Sequence, residues 1–212
     1  MGQRLVCCVL LLAGALVHSS AFASLPLLND FFANTQTLKA TFTQKVVDES
    51  GMTLDSAGGT LYLSRPGKFR WDYFVSRTDS ALSQQILADG KSIYVYDPEL
   101  EQVTQRSMDN ALVQIPSLSL VASKATLNEH FELIDVGLTD NVSWVILRPK
   151  STEAGFTQLM IGFSEDVISH IILFDALGNE TRLQLHDVQS NAVLASDTFD
   201  FDVPEGTDIL SQ

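Results

Sequence analysis

Histidine is the residue type best suited to acid–base chemistry or metal binding near neutral pH, and this chain has few of them. Beyond the first 23 residues the histidines are His130, His170 and His186, and their separations do not match those of a metal-binding motif. His170 stands between Ile168 and Ile172 in an alternating pattern, which indicates a strand residue. The histidines therefore predict neither a metal site nor a catalytic base.

Carboxylates form two clusters, and paired carboxylates are the groups that glycoside hydrolysis requires. The clusters comprise Asp97, Glu99 and Glu101, and Asp197, Asp200, Asp202 and Glu205. Both alternate with apolar residues, which is typical of a solvated strand face. Gly162-Phe163-Ser164 begins like a nucleophile elbow, but Asp166 stands where the second glycine is required. A secreted hydrolase remains an alternative, and no enzymatic activity is predicted.

A basic segment, Leu61–Arg77 (LYLSRPGKFRWDYFVSR), is the most unusual stretch of an otherwise acidic chain. It carries Arg65, Lys68 and Arg70 around Arg65-Pro66-Gly67, which has the composition of a tight turn between two strands. Taken alone, these residues favour an ordinary hairpin with exposed cations over a binding site.

The first residues have the three parts of an export signal. Arg4 supplies positive charge, an apolar run extends over Leu5–Val17, and Ala21 and Ala23 are the small residues that a signal peptidase recognises. We expect cleavage after Ala23, which leaves residues 24–212 as one domain.

Both cysteines, Cys7 and Cys8, lie at the start of the apolar run. A lipid-attachment cysteine follows such a run, so a lipoprotein anchor is not expected. Removal of the leader takes away Arg4 and no acid, which makes the formal net charge of −13 one unit more negative. Charge therefore gives the exported chain no means of holding nucleic acid or an anionic lipid surface. The product is predicted to be soluble and free of cysteine.

Alternation of apolar and polar residues predicts a chain made mainly of strands. Turn residues such as Asp89-Gly90 and Asp97-Pro98 join the strands at short intervals, which favours an antiparallel meander. The predicted strands are Leu38–Val46, Thr60–Ser64, Lys68–Tyr73, Gln84–Ala88, Ser92–Tyr96, Gln102–Arg106, Phe131–Val136, Ser143–Leu147, Phe156–Phe163, Val167–Phe174, Thr181–Val188 and Thr198–Phe201.

Two segments favour helix instead. At the start, Ser24 suits a cap and Leu28, Phe31 and Phe32 recur on one side. The stretch Asn110–Lys124 loses the strand alternation and predicts one or two short helices. A large sheet with one apolar face has to close, fold in two or be covered. These helices are few for a full cover, but they suit a lid over an apolar concavity.

Gly59–Trp71 (GTLYLSRPGKFRW) resembles the signature of the LolA family of periplasmic outer-membrane lipoprotein carriers. The resemblance continues in order along the chain from about Phe31 to Ile209. Its other pieces are Phe42–Gln44, Asp89–Pro98, Glu101–Thr104, Leu147–Lys150, Asp175 with Gly178 and Thr181, Phe199–Phe201, Pro204, Gly206 and Asp208–Ile209. The family often has Trp where this chain has Tyr62 and Tyr94, Gln at Asn179 and Pro at Val203, which are changes that keep size and polarity similar.

The resemblance implies a mainly β fold, an incomplete, half-open antiparallel β-barrel whose apolar concave face is covered by a few helices. It also implies a periplasmic chaperone that accepts acylated lipoproteins from an inner-membrane ABC transporter and passes them to an outer-membrane acceptor lipoprotein. In the family the arginine of the Arg-Pro motif tethers the lid, and this assigns a lid latch to Arg65. We expect a monomer that needs no cofactor.

Two sets of residues are candidates for contacts with cargo and partners. The basic hairpin is predicted to dock on the transporter or acceptor, with Phe69 beside Arg70 as anchor and Lys68 as steering charge. The acyl-chain cavity is predicted to be lined by Phe42, Leu61, Leu63, Phe69, Trp71, Ile93, Val95 and Tyr96. Tyr96 has the opposite strand parity to Ile93 and Val95, so at least one of these three assignments is expected to fail. An ordinary core is the alternative for the set.

Two related proteins of the same fold are further alternatives. A lipid-binding or stress-sensing envelope protein usually carries a second domain, for which this chain has no room. The acceptor lipoprotein needs a lipidated cysteine, which the exported chain lacks.

Overall fold

The computed structural model describes residues 24–76, 79–108, 119–121 and 123–211 of the 212-residue chain. The helices of this part are α1 (Ser24–Asn34) and α2 (Lys124–His130). The strands are β1 (Thr37–Val47), β2 (Thr53–Ser64), β3 (Lys68–Ser76), β4 (Asp79–Asp89), β5 (Ser92–Asp97), β6 (Gln102–Ser107), β7 (Phe131–Thr139), β8 (Val142–Pro149), β9 (Phe156–Ser164), β10 (Val167–Asp175), β11 (Glu180–Ser190) and β12 (Asp208–Ser211). None of the helices in these ranges is long and apolar enough to cross a membrane.

All the strands belong to one sheet, in the order β12-β6-β5-β4-β3-β2-β1-β11-β10-β9-β8-β7. Neighbours along this order are antiparallel except β12 and β6, which run parallel. The edge strands β12 and β7 do not pair with each other, so the sheet is open. The predicted mainly β fold, an incomplete antiparallel barrel, is confirmed. The strand predicted over Thr198–Phe201 is wrong, because these residues form a turn and irregular chain, and β12 was not predicted.

One face of the sheet, called the inner face here, packs against the helices. Leu28, Phe31 and Phe32 of α1 and Leu127 of α2 are buried in one apolar cluster with residues of both halves of the sheet. The ring of Phe31 lies 6.2 Å from that of Phe163 on β9, so α1 reaches the half of the sheet far from β2. The predicted N-terminal helix is therefore confirmed, and it lies against the apolar face.

The segment predicted as helix over Asn110–Lys124 falls largely outside the described residues. Of its described residues, Leu120 and Val121 are buried in the inner-face cluster. The helix that follows, α2, begins only at Lys124, and its N-cap is Ser123, whose hydroxyl accepts a hydrogen bond from the Thr126 backbone N–H at 3.1 Å.

The chain that follows β11 crosses the opposite, outer face of the sheet. Thr37 donates its hydroxyl to the carbonyl oxygen of Ala192 at 2.6 Å, and the ring of Phe201 stacks on Tyr94 of β5 at 4.8 Å. The segment ends as β12 beside β6. The C-terminal segment therefore covers part of the outer face between β1 and β6, whereas helices pack against the inner face.

Candidate functional site

The inner face is built from apolar side chains aligned across neighbouring strands. Residues that pair directly in an antiparallel ladder point to the same face, so the register orders them into rows. One row runs Leu38, Leu63, Phe69, Ala88, Ile93, and the next runs Ala40, Leu61, Trp71, Ile86, Val95. Leu63, Phe69 and Ile93 are completely buried. The inner face is therefore closed in this conformation.

A third row contains aromatic side chains separated by a glycine. Phe42 pairs with Gly59, and Gly59 pairs with Tyr73. The ring of Phe42 lies edge-on to Trp71 and Tyr73 at 5.3 and 5.2 Å. A Cβ on Gly59 would lie 1.8 Å from the carbonyl oxygen of Asp72, so only glycine fits between these rings.

The register separates the predicted cavity residues into two groups. Phe42, Leu61, Leu63, Phe69, Trp71 and Ile93 are buried in the inner-face cluster, and Val95 pairs with Ile86 in the same row. Tyr96 instead pairs with Gln85 and Val103, and its ring contacts Phe201 at 6.3 Å. Its assignment to the cavity is wrong, because consecutive strand residues point to opposite faces and Tyr96 lies on the outer one.

Two pieces of chain, α1 and residues 119–121, meet at the end of β2, and together they are called the lid. Both contribute buried apolar side chains to the inner-face cluster. They converge on Arg65, the residue that follows β2. Arg65 donates from Nη1 to the carbonyl oxygen of Thr35, just beyond α1, and from Nη2 to the carbonyl oxygen of Leu120 at 2.7 Å. One guanidinium thus joins both pieces of the lid.

The guanidinium of Arg65 also packs against the lid's aromatic rings. Its Cζ lies 4.7 Å from the ring centroid of Phe31 and 4.6 Å from that of Phe32, which places a cation over two π faces. Burial lowers the pKa of Arg65 from 12.5 to about 10, so the group stays charged at neutral pH. Its buried Nε has no hydrogen-bond partner within the described residues. The charge is therefore held at a desolvation cost that its contacts offset only in part.

The basic hairpin does not present its residues as predicted. Lys68 is exposed beside the β2–β3 turn. Phe69 is completely buried, with its ring 5.4 Å from that of Trp71, so its assignment as a docking anchor is wrong for this conformation. Phe69 shares the parity of Trp71, which directs both side chains to the inner face.

Arg70 points to the outer face, where it contacts Asp72 and the C-terminal segment. Its Nε donates to Asp72 Oδ2 at 2.8 Å, and its Nη1 donates to the carbonyl oxygen of Thr198 at 3.3 Å. The Asp72 carboxylate is buried and also accepts Gln85 Nε2 at 2.6 Å. Arg70 thus neutralises a buried acid and holds the C-terminal segment, a role that sequence reasoning missed although the i, i+2 charge pair was visible.

His170 and His186 lie on the outer face, away from the lid, whereas His130 is the last residue of α2. His186 Nε2 is 3.1 Å from the hydroxyl of Thr43, and the ring of His170 lies 5.7 Å from that of Trp144. Burial, together with the charge of His186, lowers the pKa of His170. Across the described ranges, no group of three or more His, Cys, Asp or Glu side chains is placed to hold a metal ion.

An open groove of about 650 Å³ lies beside these histidines. It is lined by Thr41, Phe42, Thr43, Gly58, Gly59, Thr60, Phe74, His186 and Asp187. Phe42 and Phe74 make this lining mixed, and Thr41 and Thr43, which have the opposite parity to Phe42, put the groove on the face away from the lid contacts described above. The apolar inner face under the lid is therefore the candidate binding site.

Comparison with known proteins shows which family this chain is similar to. A family model described as outer membrane lipoprotein carrier protein LolA matches residues 33–202. The chain belongs to the LolA family. Outer-membrane lipoprotein carrier proteins of Azotobacter vinelandii and Dechloromonas aromatica are 37% and 34% identical, over 99% and 93% of this chain and 100% and 96% of theirs.

Solved structures show the same fold at much lower identity. A LolA superfamily protein from Nitrosomonas europaea superposes with a TM-score of 0.50 at 12% identity, covering 84% of this chain and 96% of that one. An uncharacterized conserved protein from Thermus thermophilus gives 0.54 at 11% identity, covering 89% and 99%. These structures share the fold of this chain.

Proposed function

We propose that this protein is a periplasmic carrier that binds the acyl chains of lipoproteins between the inner face and the lid. The observation that carries the proposal is the attachment of both lid pieces to Arg65 above a mainly apolar, largely buried surface. An apolar face covered by a tethered lid is a place where hydrocarbon can replace protein side chains once the lid moves. The role requires no catalytic group and no cofactor.

The energy of hydrocarbon burial explains why a carrier needs such a lid. Burial contributes about 0.8 kcal/mol per CH₂, so one chain of about 16 carbons yields roughly 12 kcal/mol. Several such chains would exceed the observed affinity limit of about −18 to −21 kcal/mol, and cargo held so tightly would not be released. A lid that is stable when closed lowers the apparent affinity, because only the open state binds.

Arg65 supplies the closed-state stability in this proposal. Hydrogen bonds from a charged group contribute about 1.5–3 kcal/mol each, and two of them join Arg65 to Thr35 and Leu120. The desolvation of the guanidinium, visible in its lowered pKa, works against them. Because the desolvation cost offsets part of the hydrogen-bond energy, the closed state is only moderately stable. Such a latch can open for cargo and close when the cargo leaves.

The rest of the pathway follows from the export signal and the hairpin. Cleavage after Ala23 releases the chain into the periplasm as a monomer. We propose that Lys68, exposed three residues from Arg65, contacts the inner-membrane transporter that supplies lipoproteins or the outer-membrane acceptor lipoprotein that takes them. Docking beside the latch places the partner where the lid has to open.

Co-purification tests the proposal directly. The exported protein is isolated from periplasm without detergent and analysed by mass spectrometry, in the original form and as Arg65→Leu. A triacylated lipoprotein bound to the protein, and enriched on Arg65→Leu, is the expected result. The matched control is Arg148→Leu, since Arg148 forms only a surface ion pair with Glu132 at 3.3 Å. Free lipid alone would instead indicate a lipid-binding envelope protein, and no bound lipid in either form would contradict the proposal.

A further inference from the structure

The first turn of α1 is bound by one carboxylate of β7. The backbone nitrogen of Ser24 donates to Asp135 Oδ1 at 3.0 Å, and that of Leu25 donates to Oδ2 at 3.4 Å. Ser24 is completely buried. Its nitrogen therefore has a defined position against the sheet.

A β-bulge aims the carboxylate at this nitrogen. The pairing of β7 with β8 shifts between Asp135 and Gly137, which leaves Val136 as the extra residue, and Gly137 has a φ of 84°. The Gly137 N–H donates to Asp135 Oδ1 at 3.1 Å and fixes the side chain. Burial alone would raise the pKa of Asp135, but the N–H donors of Ser24, Leu25 and Gly137 outweigh it and lower the pKa, so the group is charged at neutral pH.

The export signal places its cleavage at the same atom. The small residues Ala21 and Ala23 mark the Ala23–Ser24 peptide bond for a signal peptidase. In that hydrolysis the C–N bond breaks, the oxygen of one water molecule joins Ala23 as part of a carboxylate, and the two hydrogens of that water convert the Ser24 nitrogen to an ammonium group. The nitrogen that lies 3.0 Å from Asp135 is the one that acquires the positive charge.

We propose that the new ammonium of Ser24 pairs with Asp135, so that processing itself fastens the lid helix to β7. At its other end α1 is held through Thr35 by Arg65. The lid helix is then attached at both ends, to opposite halves of the sheet. The Ser24 end acts as the hinge, and the Arg65 end is the one that opens. The pairing does not depend on which cargo the protein carries.

The helix dipole makes the pairing conditional on processing. A positive charge is unfavourable at a helix N-terminus, because the N-terminal end of the dipole is itself positive. The Asp135 carboxylate therefore stabilises α1 more when the Ser24 nitrogen is a free ammonium than when it is the amide N–H of the unprocessed chain. Loss of Asp135 should consequently weaken α1 more in the processed chain than in a chain with a longer N-terminus.

A four-protein comparison tests this coupling. Chains that begin at Ser24 and chains that begin at Ala23 are each made with Asp135 and with Asp135→Asn, by cleavage from a removable fusion. The Ala23 start moves the ammonium by one residue and restores an amide at Ser24. Amide hydrogen exchange is followed in α1 at Leu28 and at Thr35, whose N–H bonds the Phe31 carbonyl oxygen.

The expected result is faster exchange at Leu28 in Asp135→Asn by roughly two- to fivefold for the Ser24 start, and a smaller change for the Ala23 start, as for an ion pair near the surface. The difference should shrink in high salt, and exchange at Thr35 should respond to Arg65→Leu instead. Equal effects of Asp135→Asn on both starts would overturn the proposal, because an amide donor would then suffice. N-terminal sequencing of the exported protein supports the proposal if it begins at Ser24 and overturns it if it begins elsewhere.

Discussion

Arg65 donates a hydrogen bond from Nη2 to the carbonyl oxygen of Leu120, 55 residues away, across 2.7 Å. The bond joins the end of β2 to a segment that has no strand partner of its own in the described chain. Because the acceptor is a backbone carbonyl, any side chain at position 120 keeps it, but position 65 needs a long side chain ending in a planar group with several donors to reach both Leu120 and Thr35. The guanidinium of Arg65 is thus the side chain that joins both lid pieces, beside one long backbone bond from the Gly67 N–H to the Val121 carbonyl oxygen at 3.4 Å.

Replacement of Arg65 should therefore separate loading from release. Arg65→Leu removes both hydrogen bonds and the cation over Phe31 and Phe32, so the open state becomes more populated and cargo is held more tightly. We expect release to an acceptor to slow by about tenfold or more, which corresponds to a loss of about 1.4 kcal/mol of closed-state preference. Timed transfer of an acylated lipoprotein to acceptor-bearing vesicles measures it, and Arg65→Lys should be intermediate. Transfer by Arg65→Leu at the rate of the unmodified protein would refute the latch.

Reversal of the charge at Lys68 should slow the encounter with a partner without loosening the fold. Lys68 is exposed, so Lys68→Glu removes a steering charge and breaks no buried contact. We expect transfer rates to fall several-fold at low salt and to converge with those of the unmodified protein at high salt, with an unchanged unfolding midpoint. Lys45→Glu, an exposed lysine on β1, is the control for net charge. If both variants behave alike, Lys68 does not steer docking.

The glycine between the aromatic rings should be irreplaceable. A Cβ at Gly59 would overlap the Asp72 carbonyl oxygen at 1.8 Å, which forces β2 and β3 apart. Gly59→Ala is expected to lower the free energy of unfolding by about 1–3 kcal/mol, as overpacking does. Gly155→Ala is the matched control, because a Cβ there meets no atom within 4 Å. Denaturant unfolding compares them, and equal midpoints would show that the strands adjust freely.

Acidification below neutral should cost stability through His170. Its pKa is lowered in the folded state by burial and by the charge of His186, so the unfolded chain takes up a proton first as the pH falls below 6.5. Stability is complete above pH 6.5 and declines between that value and the lowered folded pKa. Substitution with Gln removes the proton uptake, so the unfolding midpoint of His170→Gln should fall less between pH 7.5 and pH 5 than that of the unmodified protein. Parallel curves for the two proteins would contradict this assignment.

The local alternation of apolar and polar residues predicted most of the strands. It did not predict elements whose pairing partner is far away in the sequence. Period-two alternation placed the strands because each buries one face, and the same parity showed that Ile93, Val95 and Tyr96 could not all line one cavity. Alternation could not reveal β12, since its four residues gain their partner, Gln102–Gln105 of β6, only through a chain that crosses the outer face. Asp135 was missed for a similar reason, because the bulge that aims it at α1 depends on the pairing of β7 with β8.

Phe69 shows how two sequence arguments can conflict. It was assigned both to the cavity and to the docking hairpin, although its alternation with Arg70 allows only one face for each. Its burial places Phe69 on the inner face and leaves the outer face to Arg70. The role of Arg65 was available only from the family resemblance, because composition and spacing alone favoured an ordinary hairpin.

The two tryptophans of the chain offer the most direct test of where the acyl chains bind. Trp71 lies in the inner-face cluster, whereas Trp144 pairs with Gly162 on the outer face beside His170. Trp144→Phe leaves only the inner reporter, and Trp71→Phe leaves only the outer one. A triacylated lipopeptide with brominated acyl chains quenches tryptophan on contact. The account predicts strong quenching in Trp144→Phe and little in Trp71→Phe, and the reverse pattern would contradict binding under the lid.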